Sequence, residues 1–326
     1  MRMRRDLLAI LSDGQFHSGE ALGLALGVSR MAVWKHMRAL RECGVPLEVV
    51  RAQGYRLHAA VELLDARAIQ EGLEPGTRAR LASVDTFLEI DSTNTWLRQR
   101  ALDGAPSGCV CVAEMQSAGR GRRNRHWVSP FAASLYLSLL WRSATGAAEL
   151  GGLSLAAGVA IVRSLRAFGI DTAGLKWPND VLVDDAKLAG ILIDVVGEST
   201  GPCCVIIGIG INVALPETAA AEIDQNWIDL RRLTGREALS RNRLASAVLD
   251  HTVAAIEEFE RAGLQPFLDE WRRLDVIQDR QVSLYLPNEV IQGRACGVDS
   301  GGALLVDTKT GRRRFASGEV SLRITP

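Results

Sequence analysis

No window of the 326-residue chain reaches the run of roughly 18 uninterrupted apolar residues that a membrane span needs, so no membrane partner is expected. Residues 1–6 are basic but have neither the apolar core nor the cleavage site of a secretion signal, and a cytoplasmic location is the expectation. Low-complexity stretches are absent too; with 47% hydrophobic residues the chain can bury the cores of two or three domains. Cysteine is sparse. Cys43, Cys109, Cys111, Cys203, Cys204 and Cys296 are scattered, which excludes both the disulfide framework of a small domain and paired CxxC zinc knuckles. Cys109 and Cys111 sit in the apolar run Cys-Val-Cys-Val-Ala, a strand pattern before a metal-ligand pattern. No GxxxxGK[ST] phosphate loop and no GxGxxG fingerprint occurs, so a nucleotide, if bound, is held by other means.

Net charge is absent as well, with 38 basic against 38 acidic residues, but the balance is local. Residues 1–60 hold nine basic and five acidic side chains, a difference of +4, which suits a module that meets a polyanion. Residues 5–11 read as a short amphipathic helix closed by Asp13-Gly14. A second helix is capped by Ser18, with Ala21, Leu22, Ala25 and Leu26 as its inner face. Gly27-Val28-Ser29 makes a tight turn in which Ser29 caps a third helix over residues 30–43. There Val33, Met37 and Leu40 point inward and leave Arg30, Lys35, His36, Arg38 and Arg41 outside, the pattern of a recognition helix. Residues 47–57 form a two-stranded ribbon that serves as a wing. DNA binding through Ser18, Ser29, Arg30, Lys35, His36 and Arg38 is the favoured expectation; a three-helix protein-docking module with a solvated basic face is the alternative.

Between Glu114 and Glu149 there is no carboxylate at all, although Arg120, Arg122, Arg123 and Arg125 crowd one short segment. Gly119 and Gly121 let that backbone approach a ligand, and guanidinium forks match carboxylate and phosphate oxygens. The segment therefore calls for an external anion; a solvated basic loop or an RNA contact is the bland alternative. Two further segments bear on the choice: Asp91-Ser92-Thr93-Asn94 before a helical pattern, and Lys176-Trp177-Pro178-Asn179-Asp180 before a strand.

Together the motifs DSTN (91–94), QSAGRGRRNRHW (116–127) and KWPNDVL (176–182) resemble those of the biotin protein ligase family. KLAGILID (187–194) and GIGINV (208–213) match it too, and with the winged helix the whole chain is similar to the bifunctional bacterial form, ligase and biotin-operon repressor. The resemblance implies that Ser92, Thr93, Asn94 and Gln116 hold the biotin ureido ring, whose carbonyl and N–H groups need partners that both donate and accept. It implies that Arg120, Gly121 and Arg122 close over the ligand, and that Lys176 contacts the biotin carboxylate and the α-phosphate of ATP. Lys176 and Arg122 are then the catalytic candidates, with Arg122, Lys176, Asn179, Asn212 and Trp227 on the ATP side. Cations are required because a carboxylate attacking a phosphate brings two anions together. Magnesium is expected with ATP. Asp180 and Asn212 are candidate ligands by type, although Asp180 serves equally to orient Lys176 or cap a turn. Trp227 either stacks on adenine or packs in the core.

Biotinyl-adenylate is a mixed anhydride that water destroys, so residues 120–125 and 214–221 are expected to act as excluding loops until a lysine of a biotin carboxyl carrier domain attacks. Asn124 departs from the family, which has glycine there; asparagine tolerates positive φ, so activity is expected to persist. The expected fold is α+β: a winged helix-turn-helix over 1–62, a class II synthetase-like central mixed β-sheet with helices over 63–275, and an SH3-like β-barrel over 276–326. Its turns are placed at Pro287-Asn288, Ser300-Gly301-Gly302 and Thr310-Gly311. A homodimer is expected when the adenylate is bound, raising affinity for operator DNA. Two rivals remain: a biotin-sensing regulator with impaired ligase activity, and a lipoate ligase-type acyltransferase.

Overall fold

The computed structural model describes every residue except Met1, Glu198, Ser199, residues 236–238, Pro287, Glu319, Thr325 and Pro326. The Pro287 half of the expected turn and both chain ends lie outside the described residues.

The N-terminal module consists of α1 (Arg2–Leu11), α2 (Gly19–Leu26), α3 (Arg30–Glu42) and an antiparallel ribbon of β1 (Leu47–Val50) and β2 (Gly54–Leu57). Ser18 and Ser29 cap α2 and α3, their hydroxyl oxygens accepting from Ala21 N at 3.0 Å and Ala32 N at 3.2 Å. Gly27 ends α2 in the left-handed conformation, φ 66°. Val33, Met37 and Leu40 are buried as the periodicity requires. One inner face differs from expectation: α2 buries Leu22 and Gly23, whereas Ala21 and Ala25 are exposed. The reason is close approach, since Val28 O lies 2.7 Å from where a Cβ on Gly23 would be.

The central module begins with α4 (Ala66–Glu71) and α5 (Pro75–Arg80), then β3 (Ser83–Phe87), α6 (Thr93–Leu102), β4 (Cys109–Ala113), β5 (Ser134–Ser143) and α7 (Leu153–Arg166). It continues through β6 (Gly174–Lys176), β7 (Asp180–Val183), β8 (Ala186–Gly197), β9 (Cys203–Asn212), α8 (Glu217–Ala220), α9 (Leu230–Thr234), α10 (Arg241–Ala262) and α11 (Gln265–Leu274). Seven strands form one mixed sheet in the order β3-β4-β5-β9-β8-β7-β6, with β3 and β4 parallel and the other neighbours antiparallel. Alternation along a strand gives the sheet two different faces. On β9, Val205, Ile207, Ile209 and Ile211 enter the main core with α7 and α10, while Cys204 and Ile206 lie under α6 in a smaller core. Gly208 and Gly210 continue that second face, and their lack of side chains lets Asn94 and Trp127 lie directly against the sheet.

The last five strands, β10 (Gln281–Tyr285), β11 (Val290–Val298), β12 (Leu304–Thr308), β13 (Gly311–Phe315) and β14 (Ser321–Ile324), form an antiparallel sheet. The expected SH3-like barrel is realised as this sheet, ordered β13-β12-β11-β10-β14, so β13 and β14 stand at its two edges. Its apolar residues, among them Val282, Leu284, Leu304 and Val306, share one core with the central module.

The N-terminal module is clamped to the rest. Met115 and Phe131 lie in the same core as Leu7, Leu11 and Met37. Glu114, at the end of β4, pairs with Arg241 at 2.7 Å and accepts from Leu64 N at 2.6 Å, and Arg241 also donates to Glu62 O at 2.6 Å.

Candidate functional site

A cleft of about 940 Å³ opens on the Gly208 and Gly210 face of the sheet, bounded by the start of α6, residues 116–127, β7, β8, β9 and β14. Its floor is shaped by glycines. A Cβ on Gly208 would lie 2.1 Å from Asn94 Oδ1, and one on Gly210 would lie 2.6 Å from the Trp127 ring. Gly190 is likewise pressed to 2.9 Å by Trp127. These strand glycines exist for close approach, and none of the three adopts positive φ.

The polar end is built as the motif DSTN implied. The Ser92 hydroxyl caps α6, and Thr93 and Asn94 project from its first turn. Gln116 Oε1 accepts from Thr93 N at 2.9 Å, and its Nε2 donates to Ser129 Oγ at 3.1 Å. Ser138 Oγ lies 2.7 Å from Thr93 Oγ1 and 2.6 Å from Asn94 Oδ1, while Asn94 Nδ2 donates to Asp194 Oδ2 at 3.1 Å. Residues from three separate segments, Thr93 and Asn94, Gln116 and Ser138, are thus fixed in one orientation, with hydroxyl and amide groups that suit a urea-like ring.

The other end is cationic. Lys176 and Lys187 share Asp180, at 4.0 Å and 2.7 Å, and Arg120 reaches Asp194 at 3.5 Å. Among the described residues Arg122 hydrogen-bonds to two neutral oxygens, Asn179 Oδ1 at 3.5 Å and the Ser317 carbonyl. Among the described residues the cleft lining holds eight Lys and Arg side chains against four carboxylates, Asp180, Asp185, Glu222 and Asp224. Burial pushes the Lys176 ammonium below its ordinary range; Asp180 opposes this, while Lys187, Arg125 and Arg323 add to it. Burial likewise lowers Arg122. Arg120 Nε and Trp127 Nε1 are buried without a hydrogen-bond partner. Desolvated cations short of counter-charge, beside unpartnered donors, make a receptor for anionic groups. Arg123 and Arg125, by contrast, are exposed and reach across to Tyr285 O (3.2 Å) and Ser321 Oγ (2.7 Å), tying the loop to the C-terminal sheet. Asn124 has φ 56°, the left-handed conformation that glycine would supply; Arg123, also at φ 56°, was not expected to adopt it.

Several expected residues are placed differently. Asn179 and Asp180 line the cleft, but Asn212 does not, and its Nδ2 donates to Lys187 O (3.2 Å) and Ile228 O (3.1 Å). Trp227 is half-buried beside the cleft with the Arg232 guanidinium 4.3 Å from its ring centre, so it is not core packing. Residues 217–220 of the second expected loop form the turn α8, with Glu217 paired to Arg232 at 2.6 Å. The donor set does not fit a protein-held metal ion. Among the described residues no three of His, Cys, Asp and Glu cluster, and Asp180 is already occupied by two ammonium groups. Sequence reasoning missed Lys187, Trp127, Ser138 and Asp194. The glycine pairs at i and i+2 were the available signal for the close approach to this sheet face; nothing local marked Lys187 as a partner of Lys176.

In the N-terminal module Arg30, Lys35 and Arg38 are exposed on α3 and His36 is half-buried. Arg38 is not free, since it pairs with Glu42 at 2.8 Å.

Fold and site together define a protein that can hold a neutral polar ring and two anions in one cleft, joined to a helix-turn-helix module. The comparisons with known proteins agree. Residues 87–212 match the Biotin/lipoate A/B protein ligase family, residues 3–56 an HTH domain, and residues 279–323 the biotin protein ligase C terminal domain. The bifunctional ligase/repressor BirA of Salmonella typhimurium is 43% identical over 97% of this chain and 96% of that protein. The protein of that name from Bacillus subtilis is 32% identical over 98% of both. The structure of the Aquifex aeolicus biotin protein ligase in complex with biotin and ATP aligns with a TM-score of 0.64 at 28% identity, covering 75% of this chain and 100% of that one. This chain belongs to the biotin protein ligase family, in its bifunctional ligase/repressor form.

Proposed function

We propose that the protein joins biotin to a lysine of a biotin carboxyl carrier protein. One biotin carboxylate oxygen attacks the α-phosphorus of ATP and pyrophosphate leaves, giving biotinyl-5′-AMP. The carrier lysine amine then attacks the acyl carbon, and AMP leaves with the C–O electron pair. The observation that carries this reading is the cationic excess of the cleft around Lys176, Lys187, Arg120 and Arg122, whose ion pairs among the described residues are with Asp180 and Asp194, next to the Ser92-Thr93-Asn94-Gln116 end. Biotin spans the two ends, its ring on the neutral side and its carboxylate toward the lysines. Gly121 allows the loop backbone to approach the adenylate, and Arg122 and Asn179 meet the nucleotide. Magnesium accompanies the phosphates of ATP, and no step is assigned to protein ligands of it.

The helix-turn-helix module makes the protein a repressor. Operator DNA is its partner, with adenylate-driven homodimerisation raising DNA affinity. The division at 62 and 275 into DNA-binding, catalytic and C-terminal domains follows the same reading. No helix among the described residues is long and apolar enough to cross a membrane, and all six cysteines are free thiols, which supports a cytoplasmic site of action.

The test is incubation with ATP, labelled biotin and a carrier domain. Pyrophosphate release and label on the carrier lysine are the expected result. Biotin binding without pyrophosphate release would make the protein a sensor only, and preferential transfer of lipoate would make it a lipoate ligase. The left-handed geometry held by Asn124 supports retained activity.

A further inference from the structure

The recognition helix carries two large apolar side chains where solvated charge is the norm. Met31 is 70% exposed on the side of α3 opposite the buried Val33 and Leu40, and Trp34, 49% exposed, lies at the border of that outer face beside the buried Met37. Met31, Lys35, Arg38 and Glu42 succeed one another at helical spacing along this outer face, and Trp34 flanks them toward the wing. Between Trp34 and wing residues Val49 and Tyr55 lies a second cleft of about 480 Å³. Single exposed apolar residues are ordinary, but two on adjacent turns of one face mark a surface that something covers.

Charge identifies the covering partner. Arg30 and Lys35 stand exposed beside the apolar pair, which is the rim of a polyanion site. Arg38 pairs with Glu42 at 2.8 Å on the exposed surface and lies 5.8 Å from the Trp34 ring centre, at the edge of cation–π range. An α-helix fits the major groove of B-DNA, and among base edges there only thymine offers an apolar group, its C5 methyl. Met31 sits in the N-terminal turn of α3, the end from which such helices reach bases.

We infer that Met31 and Trp34 read thymine methyl groups in the major groove, while Arg30 and Lys35 supply sequence-independent phosphate contacts. The inference rests on the DNA-binding reading above. The full-length protein, with biotin and ATP, is used to select a duplex from a random pool. That duplex is then remade with uracil for thymine, one position at a time, removing only the methyl. At one or two positions uracil should weaken binding about three- to tenfold, the scale of burying a single methyl group. Met31→Ala and Trp34→Ala should abolish that difference and leave the salt dependence of binding unchanged; Lys35→Ala should lower the salt slope by about one and keep the uracil effect. Both apolar residues are surface side chains, and the uracil arm on the parent protein needs no variant.

Equal binding of thymine and uracil duplexes by the parent overturns the inference while tight, salt-dependent binding leaves the DNA reading standing. Failure to retain any duplex overturns both. Loss of dimerisation in Trp34→Ala, with unchanged uracil discrimination, would assign the patch to a second copy of this chain and overturn the inference as well.

Discussion

Replacing Gly208 with alanine should weaken both biotin affinity and the fold. The new Cβ would lie 2.1 Å from Asn94 Oδ1, 2.8 Å from its Cγ and 3.0 Å from its Nδ2, where ordinary contact begins at 3.4 Å. The β9 backbone is fixed on both sides, its neighbours being β5 and β8, so Asn94 must retreat by more than an ångström. Its amide is held by Ser138 Oγ at 2.6 Å, Asp194 Oδ2 at 3.1 Å and Leu192 O at 3.4 Å. Losing two or three such bonds at about 1 kcal/mol each costs about 2–3 kcal/mol of stability, and the misplaced amide withdraws one or two hydrogen bonds from the ring, weakening biotin affinity by about 1–3 kcal/mol, roughly 5- to 150-fold. Calorimetric titration with biotin reads the affinity and thermal melting reads the fold. The double variant Gly208→Ala/Asn94→Ala removes the collision, so its melting temperature should return toward the parent while biotin binding stays weak. If Gly208→Ala binds biotin within about threefold of the parent, the claim that these glycines clear the floor of the biotin site is wrong.

Three other outcomes are expected. Arg241 and Glu114 are only 4% and 5% exposed, so Arg241→Met strands a buried carboxylate and should destabilise the protein by about 3–5 kcal/mol in urea unfolding, most of it regained with Glu114→Gln; a loss under about 1 kcal/mol for the single variant contradicts this. Because burial depresses Lys176, its ammonium is lost sooner as pH rises, and nucleotide affinity should start to decline below lysine's ordinary 10.5, with Lys176→Arg flattening the decline; identical profiles would dismiss Lys176 as the titrating group. The Asp275 carboxyl, raised by burial from 3.8 to about 6, binds its proton more tightly folded than unfolded, so its contribution to stability falls as pH climbs through that window and stays unfavourable above it. Asp275→Asn should remove that slope and stabilise the protein at pH 7 by about 1–3 kcal/mol, and a stability-against-pH curve that keeps the slope would refute the assignment.

Much of the fold was legible because its rules are local. The caps Ser18 and Ser29, the left-handed Gly27 and the spacing of Val33, Met37 and Leu40 each involve only a few residues, and all appear where periodicity and turn chemistry put them. The glycine-arginine loop, with no carboxylate between Glu114 and Glu149, raised the expectation of an external anion, and the segments at 91–94 and 176–180 were needed to favour it over a solvated basic loop. Even the inner face of α2 failed for a nearby reason, the carbonyl of Val28 against Gly23, which no helical pattern records.

Residue order alone, then, set the helices, the alternating strands and the demand for an anion. Which groups meet was settled by long-range register. Strand order β9-β8-β7-β6 brings Lys187 to Asp180 beside Lys176, and Arg241 crosses 127 positions to reach Glu114. Trp127 finds its place only because Gly190 and Gly210 sit side by side on neighbouring strands. Propensity and patterning act over a turn or a strand, whereas the pairing of distant strands is chosen by the burial of the whole sheet face, and the geometry of the cleft is a consequence of that choice.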